Sequence, residues 1–379
     1  MKWPLNINNF TFIDKLKISL FILNSKNKWT QDIRVKQFEK EMALFAESKY
    51  AVFCSSGSTA NTMLAMMLKD KSQDKKTIIF PSTTWTTSIS PFIREGFVPK
   101  FVDVNLEDFS FNYKKLEEVL KINKDIACIF ATSLLGFVPD LAKLKKLSEK
   151  YSVKLMLDNC ENTFGKFEGK NVSSFATSTT STYFGHQLQS IEGGFVFTNS
   201  KEEFDYLLML RNHGMTRSVD DPQQYRNCEV DGRFDFYCLG NNFRNTDLNA
   251  FIGLIDFSKR QQYIQKRKDI FKFFSSKLND KYILPFEFSD REVSAFSLPI
   301  IFKNAKKRKE ALDFCEKESI ETRPIISGNL LRQTCYKNYA SYKDFPISEF
   351  LHQNGFYVGL HAGLKEKQVE KLINYLNNL

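Results

Sequence analysis

The chain has 379 residues, about two and a half times the usual length of one domain, so we expect two packed domains rather than a small binding module. Hydrophobic residues make up 42% and charged residues 26%, which is typical of a folded chain and excludes a disordered or fibrous protein. The net charge of +10 is spread along the sequence, and we interpret the densest basic run, residues 306–309, as a solvated helix face rather than a nucleic-acid site.

The seven cysteines are too far apart to predict a metal site or a disulfide framework. The shortest separation is the ten-residue step from Cys228 to Cys238, whereas zinc and iron–sulfur sites usually take two ligands from one tight turn. An odd number of cysteines in a long chain favours reduced thiols, and hence a cytoplasmic protein. No run of about 18 uncharged apolar residues is present, so we expect neither a signal peptide nor a membrane span.

Apolar residues at helical spacing predict a helix through residues 38–45, followed by a short strand over 50–53. The strand leads into a Ser- and Gly-rich turn, and the Ala-, Met- and Leu-rich stretch 59–68 predicts a helix that Ser58 caps. The free N–H groups of such a helix end, next to Gly57, are suited to binding a phosphate group. The same pattern also fits a plain helix cap, so both interpretations stay open at this point.

Strand-like and helix-like segments then alternate, as in α/β folds with a parallel sheet. A helix is predicted over 140–151, and strands are predicted over 77–80, 98–104, 126–132 and 153–157. Asp158 directly follows the last of these strands. Because open parallel sheets bind ligands at the carboxyl ends of their strands, Asp158 is a candidate ligand-binding residue, although a helix cap would explain it equally well.

The character of the sequence changes near residue 250, where a long helical stretch runs to about residue 268. After it come an apolar segment over 296–302, a basic helix, and a C-terminal helix with one apolar face. We therefore predict a large domain of residues 1–250 and a smaller α/β domain of residues 251–379.

Several motifs occur in a characteristic order along most of the chain. They are Gly57-Ser58, Trp85 in the segment 81–85, Asp158, the segment 181–186 before Glu192-Gly193-Gly194, the segment 211–214, and the segment 240–244. In these motifs the chain resembles the sugar-modifying DegT/DnrJ/EryC1/StrS family of pyridoxal-phosphate enzymes. The resemblance implies the α/β fold of fold type I, which is aspartate aminotransferase-like, with a large sheet domain and a smaller C-terminal domain.

The resemblance also implies how the ring of a pyridoxal or pyridoxamine phosphate cofactor is held. Asp158 would keep the pyridine nitrogen protonated, which makes the ring an electron sink. Trp85, which by itself would fit a hydrophobic core, would stack on the ring. Glu161, three residues after Asp158, would lie near the ring hydroxyl.

The cofactor phosphate would be held by a second group of residues. Gly57, Ser58 and Ser181 supply N–H and hydroxyl donors. Asn242 corresponds to a family asparagine that reaches the phosphate of the neighbouring subunit. The resemblance therefore implies a homodimer with shared active sites.

One position departs from the aminotransferases of this family. His186 lies 28 residues after Asp158 and five after Ser181, in the layout in which the last position is normally a lysine. No lysine occurs from residue 171 to residue 200, so the usual covalent link to the cofactor is excluded at this site. Because histidine is a general base near neutral pH, the resemblance implies that His186 deprotonates noncovalently held pyridoxamine phosphate. The C3 hydroxyl of a bound 4-keto sugar would then be expelled.

A lysine-to-histidine change at this site marks the family's dehydratases that make 3,6-dideoxy sugars. The segment 321–333 resembles the same subgroup, although an ordinary strand-loop-helix connection would also explain it. Within it, Arg323 and Arg332 are candidate contacts for the diphosphate of the substrate, because guanidinium groups bind phosphate oxygens bidentately. His213 is a candidate substrate-binding residue that could act as an acid near the leaving hydroxyl, although a neutral, hydrogen-bonded histidine would explain it better.

Some dehydratases of this type use an iron–sulfur cluster, and the close cysteine spacing that such a cluster needs is missing here. We therefore favour the cluster-free type, which acts on GDP-4-keto-6-deoxymannose. The resemblance then implies L-glutamate as amino donor, release of ammonia, and a 3-deoxy sugar destined for surface polysaccharide. A GDP-linked 4-keto-6-deoxyheptose as substrate, a nucleotide-sugar aminotransferase, and a cofactor-binding protein without activity stay open as alternatives. We expect no metal, nucleic acid or membrane among its partners.

Overall fold

The computed structural model of the chain describes residues 2–72, 74–283 and 288–379. The strands are, in chain order, β1 (Tyr50–Cys54), β2 (Thr77–Pro81), β3 (Val98–Val102), β4 (Ile126–Thr132), β5 (Lys154–Asp158), β6 (Lys166–Phe167), β7 (Lys170–Asn171), β8 (Thr177–Ser181), β9 (Gly194–Thr198), β10 (Tyr282–Ile283), β11 (Arg291–Glu292), β12 (Ser297–Phe302), β13 (Thr322–Pro324) and β14 (Gly355–Gly359). The helices are α1 (Phe12–Leu23), α2 (Ile33–Phe45), α3 (Gly57–Lys71), α4 (Ser90–Arg94), α5 (Tyr113–Ile122), α6 (Leu141–Tyr151), α7 (Lys201–Arg211), α8 (Asp247–Ser258), α9 (Arg260–Lys277), α10 (Lys306–Lys317), α11 (Pro346–Asn354) and α12 (Glu366–Asn378). Among the described residues, no helix combines the length and the apolar composition needed to cross a membrane.

A seven-stranded sheet with the order β1-β9-β8-β5-β4-β2-β3 forms the centre of the first half of the chain. Its strands are parallel except for β9, which is antiparallel to both of its neighbours. Helices cover both faces, α3 and α7 on one side and α5 and α6 on the other. Successive residues of β4 therefore enter different cores, as Ile129 and Phe130 do, and the predicted α/β layering is confirmed.

The helix that follows β1 begins earlier than the sequence predicts. Ser56 is the N-cap, since its Oγ accepts a hydrogen bond from the N–H of Thr59 at 3.1 Å and the Thr59 hydroxyl accepts one from the Ser56 N–H at 2.9 Å. This reciprocal pair is a capping box. The expectation that Ser58 caps the helix is wrong, and Ser58 lies in the first turn beside Gly57.

A four-stranded antiparallel sheet with the order β10-β12-β14-β13 forms the second layer. It packs against α9, α10 and α12, and the apolar face predicted for the last helix is buried. The N-terminal segment also joins this layer, because Trp3 is fully buried in its core and donates from Nε1 to the carbonyl oxygen of Gly359 at 2.9 Å.

The helical stretch predicted from residue 250 to residue 268 is two helices. Lys259 separates α8 from α9 with a backbone that leaves helical geometry, and its Nζ pairs with Asp14 at 2.8 Å. The predicted domain boundary at residue 250 falls inside α8, which packs on α2 through a shared core containing Phe38 and Ala250. A division at residue 250 stays a prediction.

Candidate active site

A cavity of about 700 Å³ lies at the carboxyl ends of the parallel strands and is lined by residues of both sheet layers. This volume is in the range of sites for small molecules and cofactors. Most of the residues singled out in the sequence lie on its wall, namely Gly57, Ser58, Trp85, Asp158, Glu161, Ser181, His186 and Arg323.

Asp158 ends β5, and neutral donors hold its carboxylate in place at the cavity. Oδ2 accepts hydrogen bonds from Nδ2 of Asn61 at 2.9 Å and from the Ser88 hydroxyl at 2.6 Å, and Oδ1 accepts one from the Cys160 N–H at 3.0 Å. The residue is 3% exposed and forms no ion pair with any described residue. Because a buried carboxylate without a cationic partner is costly, Asp158 is suited to pair with a cationic group of a ligand.

The N-terminus of α3 forms a cradle beside Asp158. A Cβ on Gly57 would lie 2.8 Å from Sγ of Cys160 and 2.9 Å from Cβ of Ser181, so only glycine permits this close approach. The first-turn N–H groups of the helix and the hydroxyls of Ser58 and Ser181 surround the cradle. Such a helix end favours a phosphate group, and together with Asp158 it fits a phosphorylated pyridine such as pyridoxal phosphate.

Two further side chains on the cavity wall differ in their exposure. Trp85 lies in the turn after β2 with 53% of its surface exposed, so its ring is available to stack on a ligand. Glu161 is partly buried, and Oε2 accepts a hydrogen bond from the Leu135 N–H at 2.7 Å. Burial raises the pKa of Glu161 to about 8, against the lowering effect of the Leu135 N–H and with a smaller contribution from Asp158. Its carboxyl is therefore protonated at neutral pH and is a hydrogen-bond donor.

His186 follows β8 in a turn that its own N–H closes on the Tyr183 carbonyl oxygen at 2.8 Å. Its ring packs 5.5 Å from the Phe296 ring, between centroids. Burial lowers the pKa of His186 to about 4, aided by the charge of Arg267 and opposed by Asp158 and by a Ser181 backbone contact. The imidazole is therefore neutral at neutral pH, which is the form that accepts a proton.

The cavity wall contains no lysine among the described residues. Nδ1 of His186 is buried without a hydrogen-bond partner among the described residues, which leaves Nε2 as the ring nitrogen that exchanges protons with a molecule in the cavity. A neutral base beside an oriented carboxylate and a phosphate cradle can perform proton transfer on a bound cofactor, and no amine is at hand for a covalent link.

Two predicted site residues, Asn242 and His213, lie outside the cavity lining of this chain. They are neighbours, since the His213 N–H donates to the carbonyl oxygen of Asn241 at 2.9 Å. Asn242 Oδ1 accepts a hydrogen bond from Nε of Arg244 at 3.0 Å. His213 has a left-handed backbone, with φ of 63°. Their predicted roles at the site stay predictions.

Arg332 also lies outside the cavity lining. Its guanidinium forms two hydrogen bonds to the carboxylate of Glu349, at 2.6 and 2.8 Å, and stacks 4.1 Å from the centre of the Tyr342 ring. Arg323, which does line the cavity, donates from Nη2 to Glu321 at 2.8 Å and has half of its side chain exposed. The sequence predicts a substrate contact for both arginines, whereas in the structure Arg323 lines the cavity and Arg332 does not.

Several residues that shape the cavity were missed by reasoning from the sequence. Asn61 lies one helical turn after Gly57, so its proximity to Asp158 follows from helix geometry. Ser88 and the buried Arg267 carry no such signal. Asn6 lines the cavity and donates from Nδ2 to the carbonyl oxygen of Phe184, 178 residues away, a contact that no local pattern predicts.

Comparison with known proteins gives this arrangement a context. The chain is 30% identical over 354 residues to the GDP-4-keto-6-deoxy-D-mannose 3-dehydratase of Escherichia coli O55:H7, an alignment that covers 90% of each chain. A solved structure of the E. coli GDP-4-keto-6-deoxy-D-mannose 3-dehydratase with bound hydrated pyridoxal phosphate is 27% identical, with a TM-score of 0.91 and 99% of each chain covered.

A second solved structure is a GDP-4-keto-6-deoxymannose 3-dehydratase with a trapped adduct of pyridoxal phosphate and glutamate, with 27% identity, a TM-score of 0.90, and 99% of this chain and 100% of that chain covered. These likenesses confirm the predicted fold class. The sequence model of the DegT/DnrJ/EryC1/StrS aminotransferase family matches residues 19–377. The chain therefore belongs to the DegT/DnrJ/EryC1/StrS aminotransferase family.

Proposed function

We propose that this protein is a pyridoxamine-phosphate-dependent C3 dehydratase of a nucleotide-linked 4-keto-6-deoxy sugar, with L-glutamate as amino donor. The observation that carries the proposal is the neutral imidazole of His186 in a cavity whose described wall has no lysine. The relatives named above act on GDP-4-keto-6-deoxymannose, and one was trapped with glutamate. GDP-4-keto-6-deoxymannose is therefore the proposed substrate, and a 3,6-dideoxy sugar for surface polysaccharide is the proposed end product.

Pyridoxamine phosphate bound here would supply an amine that condenses with the sugar ketone and a ring that accepts electrons. Asp158 would hold the ring nitrogen protonated, because its carboxylate has no cationic partner among the described residues. The helix end at Gly57 and the hydroxyls of Ser58 and Ser181 would bind the phosphate. Trp85 would stack on the ring.

In this proposal His186 transfers the proton, and Glu161 assists by donating a hydrogen bond. The imidazole of His186 is neutral, so its Nε2 would accept a proton from the bound cofactor and then return a proton to the departing C3 oxygen. The protonated carboxyl of Glu161 would donate a hydrogen bond to an oxygen of the cofactor ring.

The overall reaction balances in atoms and electrons. The CHOH group at sugar carbon 3 becomes CH₂, a two-electron reduction that removes one oxygen. L-Glutamate becomes 2-oxoglutarate and ammonia, which is a two-electron oxidation that takes up this oxygen through water. Glutamate is therefore both the amino donor and the reductant.

The sugar diphosphate is proposed to lie near Arg323, whose half-exposed guanidinium would bind phosphate oxygens through the N–H groups that Glu321 and the Thr322 carbonyl oxygen leave free. Arg332 is already paired with Glu349, so a contact between Arg332 and substrate would require this ion pair to open. Replacing Arg332 with Ala tests its predicted role, because the KM for the nucleotide sugar rises only if the contact forms.

A homodimer with shared sites is part of the proposal. The segment before Asn242 exposes several large apolar side chains, as expected of an interface, namely Val230, Phe234, Phe236, Tyr237 and Leu239. In such a dimer Asn242 would reach the phosphate in the partner's cavity, and the neighbouring His213 would face the same site.

We further propose a cytoplasmic location, which agrees with seven cysteines that form no disulfide among them.

Incubation of the purified protein with pyridoxal phosphate, L-glutamate and GDP-4-keto-6-deoxymannose tests the function. We expect mass spectrometry to show loss of one oxygen from the sugar, and a coupled assay to show equal amounts of ammonia and 2-oxoglutarate. A 4-amino sugar without ammonia would instead establish an aminotransferase. Turnover of glutamate with an unchanged hexose would direct the assay to the corresponding 4-keto-6-deoxyheptose.

A further inference from the structure

A buried arginine reaches the cavity from the middle of α9. Arg267 is 6% exposed and lines the cavity next to Phe296 and Ser297. Its Nη1 donates to the carbonyl oxygen of Phe296 at 3.2 Å and, at the 3.5 Å limit, to that of Ala295. The other guanidinium nitrogens have no acceptor in the part of the chain that the structure describes. Several of its five N–H donors are therefore available to a ligand.

The positive charge of Arg267 also has no direct partner. No carboxylate of residues 2–72, 74–283 or 288–379 forms an ion pair with it. Burial lowers the pKa of Arg267 to about 10, and Asp256 opposes this from a greater distance, so the group stays cationic at neutral pH. Burying an unpaired cation is costly, which indicates that an anion completes this site.

A hydroxyl on the same cavity wall also lacks a partner. Ser297 is 1% exposed, lines the cavity, and its Oγ has no hydrogen-bond partner among the described residues. Phe296, whose carbonyl oxygen accepts the hydrogen bond from Arg267, directly precedes Ser297 in the chain, and its ring packs against His186. Arg267 and Ser297 thus form a polar recess close to the proposed catalytic base, which we name the Arg267–Ser297 recess.

We propose that the Arg267–Ser297 recess binds a carboxylate group of L-glutamate. The inference rests on the proposed function, which needs glutamate as the second substrate of the same cavity. The guanidinium fork matches the two oxygens of a carboxylate, and the serine hydroxyl adds a third donor. In glutamate the amine and a carboxylate are only a few bonds apart. An amine near His186 therefore brings a carboxylate close to the recess.

The nucleoside diphosphate is a poorer occupant of this recess. It is bulky and doubly charged, and it must extend toward solvent, where the half-exposed Arg323 lies. The recess is lined by nearly fully buried side chains, which suits one small anionic group. The two arginines would therefore divide the two substrates between them, Arg323 for the sugar diphosphate and Arg267 for the amino donor.

Binding of glutarate tests the recess without any chemistry. Glutarate carries both carboxylates of glutamate and no amine, so it cannot react with the cofactor, and calorimetry on the purified holoenzyme gives its Kd. We expect Arg267→Met to weaken glutarate binding roughly ten- to a hundredfold, as for loss of a charged hydrogen-bonding partner. Lys266→Met is the matched control, because it removes the same charge from the exposed neighbouring position of α9, and its Kd should stay within about twofold.

Steady-state kinetics give a second readout. The KM for L-glutamate should rise more in Arg267→Met than the KM for the nucleotide sugar. Unaltered glutarate affinity, equal rises in both KM values, or a loss confined to GDP binding would each overturn the proposal. If circular dichroism shows that Arg267→Met is unfolded, Ser297→Ala and Arg267→Lys replace it, with an expected loss of roughly threefold or more in glutarate affinity.

The recess and the proposed function can be refuted independently of each other. A wild-type enzyme that releases no ammonia from the nucleotide sugar would refute the dehydratase, whatever its affinity for glutarate. Wild-type dehydration together with an Arg267→Met variant that binds glutarate normally would refute only the recess.

Discussion

The proposed dehydratase differs from the aminotransferases of its family at one decisive position, where His186 replaces the usual lysine. Replacing His186 with Asn removes the base and keeps a polar group of similar reach. Because a general base contributes roughly 100- to 10,000-fold to rate, we expect kcat for dehydration to fall by about that factor, with the cofactor still bound. His352→Asn, which changes a histidine outside the cavity lining, should keep its kcat within about twofold of wild type.

The reverse exchange, His186→Lys, supplies an amine where the cavity has none. We expect this variant to bind the cofactor covalently, so that borohydride reduction fixes the cofactor mass to the protein, and to lose dehydration. Undiminished dehydration by the Asn variant would contradict the assignment of His186 as base.

Glu161 predicts a pH dependence whose direction follows from its burial. Its folded-state pKa of about 8 exceeds the usual 4.5, so between these values the folded protein holds a proton that the unfolded chain has released. The contribution of Glu161 to the free energy of unfolding therefore falls as pH rises through this window, by up to about 1.4 kcal/mol per pH unit. Glu161→Gln removes this contribution and retains an acceptor for the Leu135 N–H.

Urea unfolding of both proteins at about pH 5.5 and about pH 7.5 measures the effect. The wild type should lose more stability than Glu161→Gln on going to the higher pH. Other groups, among them His186 and His361 with pKa values of about 4, titrate alike in both proteins and cancel in the difference. An equal change in the two proteins would show that Glu161 is ionised in the native state at neutral pH.

The helix end at Gly57 is the element on which the proposed phosphate site depends. A methyl group at Gly57 would collide with Cys160 and Ser181, both at less than 3 Å. We expect Gly57→Ala to cost about 1 to 3 kcal/mol of stability and to weaken cofactor binding roughly tenfold or more. Gly232→Ala is the control, since the nearest described atoms to a Cβ at Gly232 belong to the flexible end of Arg226, at 3.3 Å.

Titration of the cofactor by absorbance, together with urea unfolding, measures both effects. Equal cofactor affinity in Gly57→Ala and wild type would mean that the phosphate does not lie at this helix end.

Secondary structure followed from the sequence where local chemistry decides it. Five strands of the large sheet, β1 to β5, and the last helix lie where the apolar periodicity places them, whereas β8 and β9 of the same sheet were not predicted. The cap at Ser56 and the break at Lys259 were missed, because Ser56, Gly57 and Ser58 compete for the same role and because Lys259 is fixed by Asp14, far away in the chain. Local patterns cannot decide between such alternatives.

Prediction of the candidate site from the sequence is limited in the same way, because local patterns do not reveal contacts that the tertiary fold creates. Residues of the cavity wall that belong to motifs were predictable, among them Asp158 and His186, because their order matches a family layout. Arg267 and Asn6 were not, since nothing in α9 or in the N-terminal segment marks them as cavity residues. Arg332 was predicted to bind substrate from its motif, whereas the structure pairs it with Glu349, a partner that only the tertiary fold supplies.

At the scale of the whole molecule, the site depends on both sheet layers and on the N-terminal segment. The large sheet contributes Asp158 and the phosphate cradle, and the second layer contributes Ser297 and Arg323. Trp3 anchors the N-terminal segment in the second layer, which places Asn6 against the turn that carries His186. The cavity of one chain thus contains the proposed groups other than Asn242, His213 and Arg332.

Subunit complementation tests whether Asn242 acts in the partner's cavity. His186→Asn lacks the base, and Asn242→Ala lacks the phosphate contact, so we expect each variant alone to be strongly impaired. In a mixed dimer, one cavity carries both defects, and the other combines the intact His186 of one subunit with the intact Asn242 of its partner. Random reassociation of equal amounts makes about half of the dimers mixed, so about a quarter of wild-type activity should return.

The two variants are denatured together, refolded and assayed for ammonia, with each variant refolded alone as the control. If Asn242 served the cavity of its own chain, each subunit would carry one complete defect, and mixing would restore nothing. Recovery near a quarter therefore requires a shared site, because only exchange of Asn242 between subunits can rebuild a cavity from these two proteins.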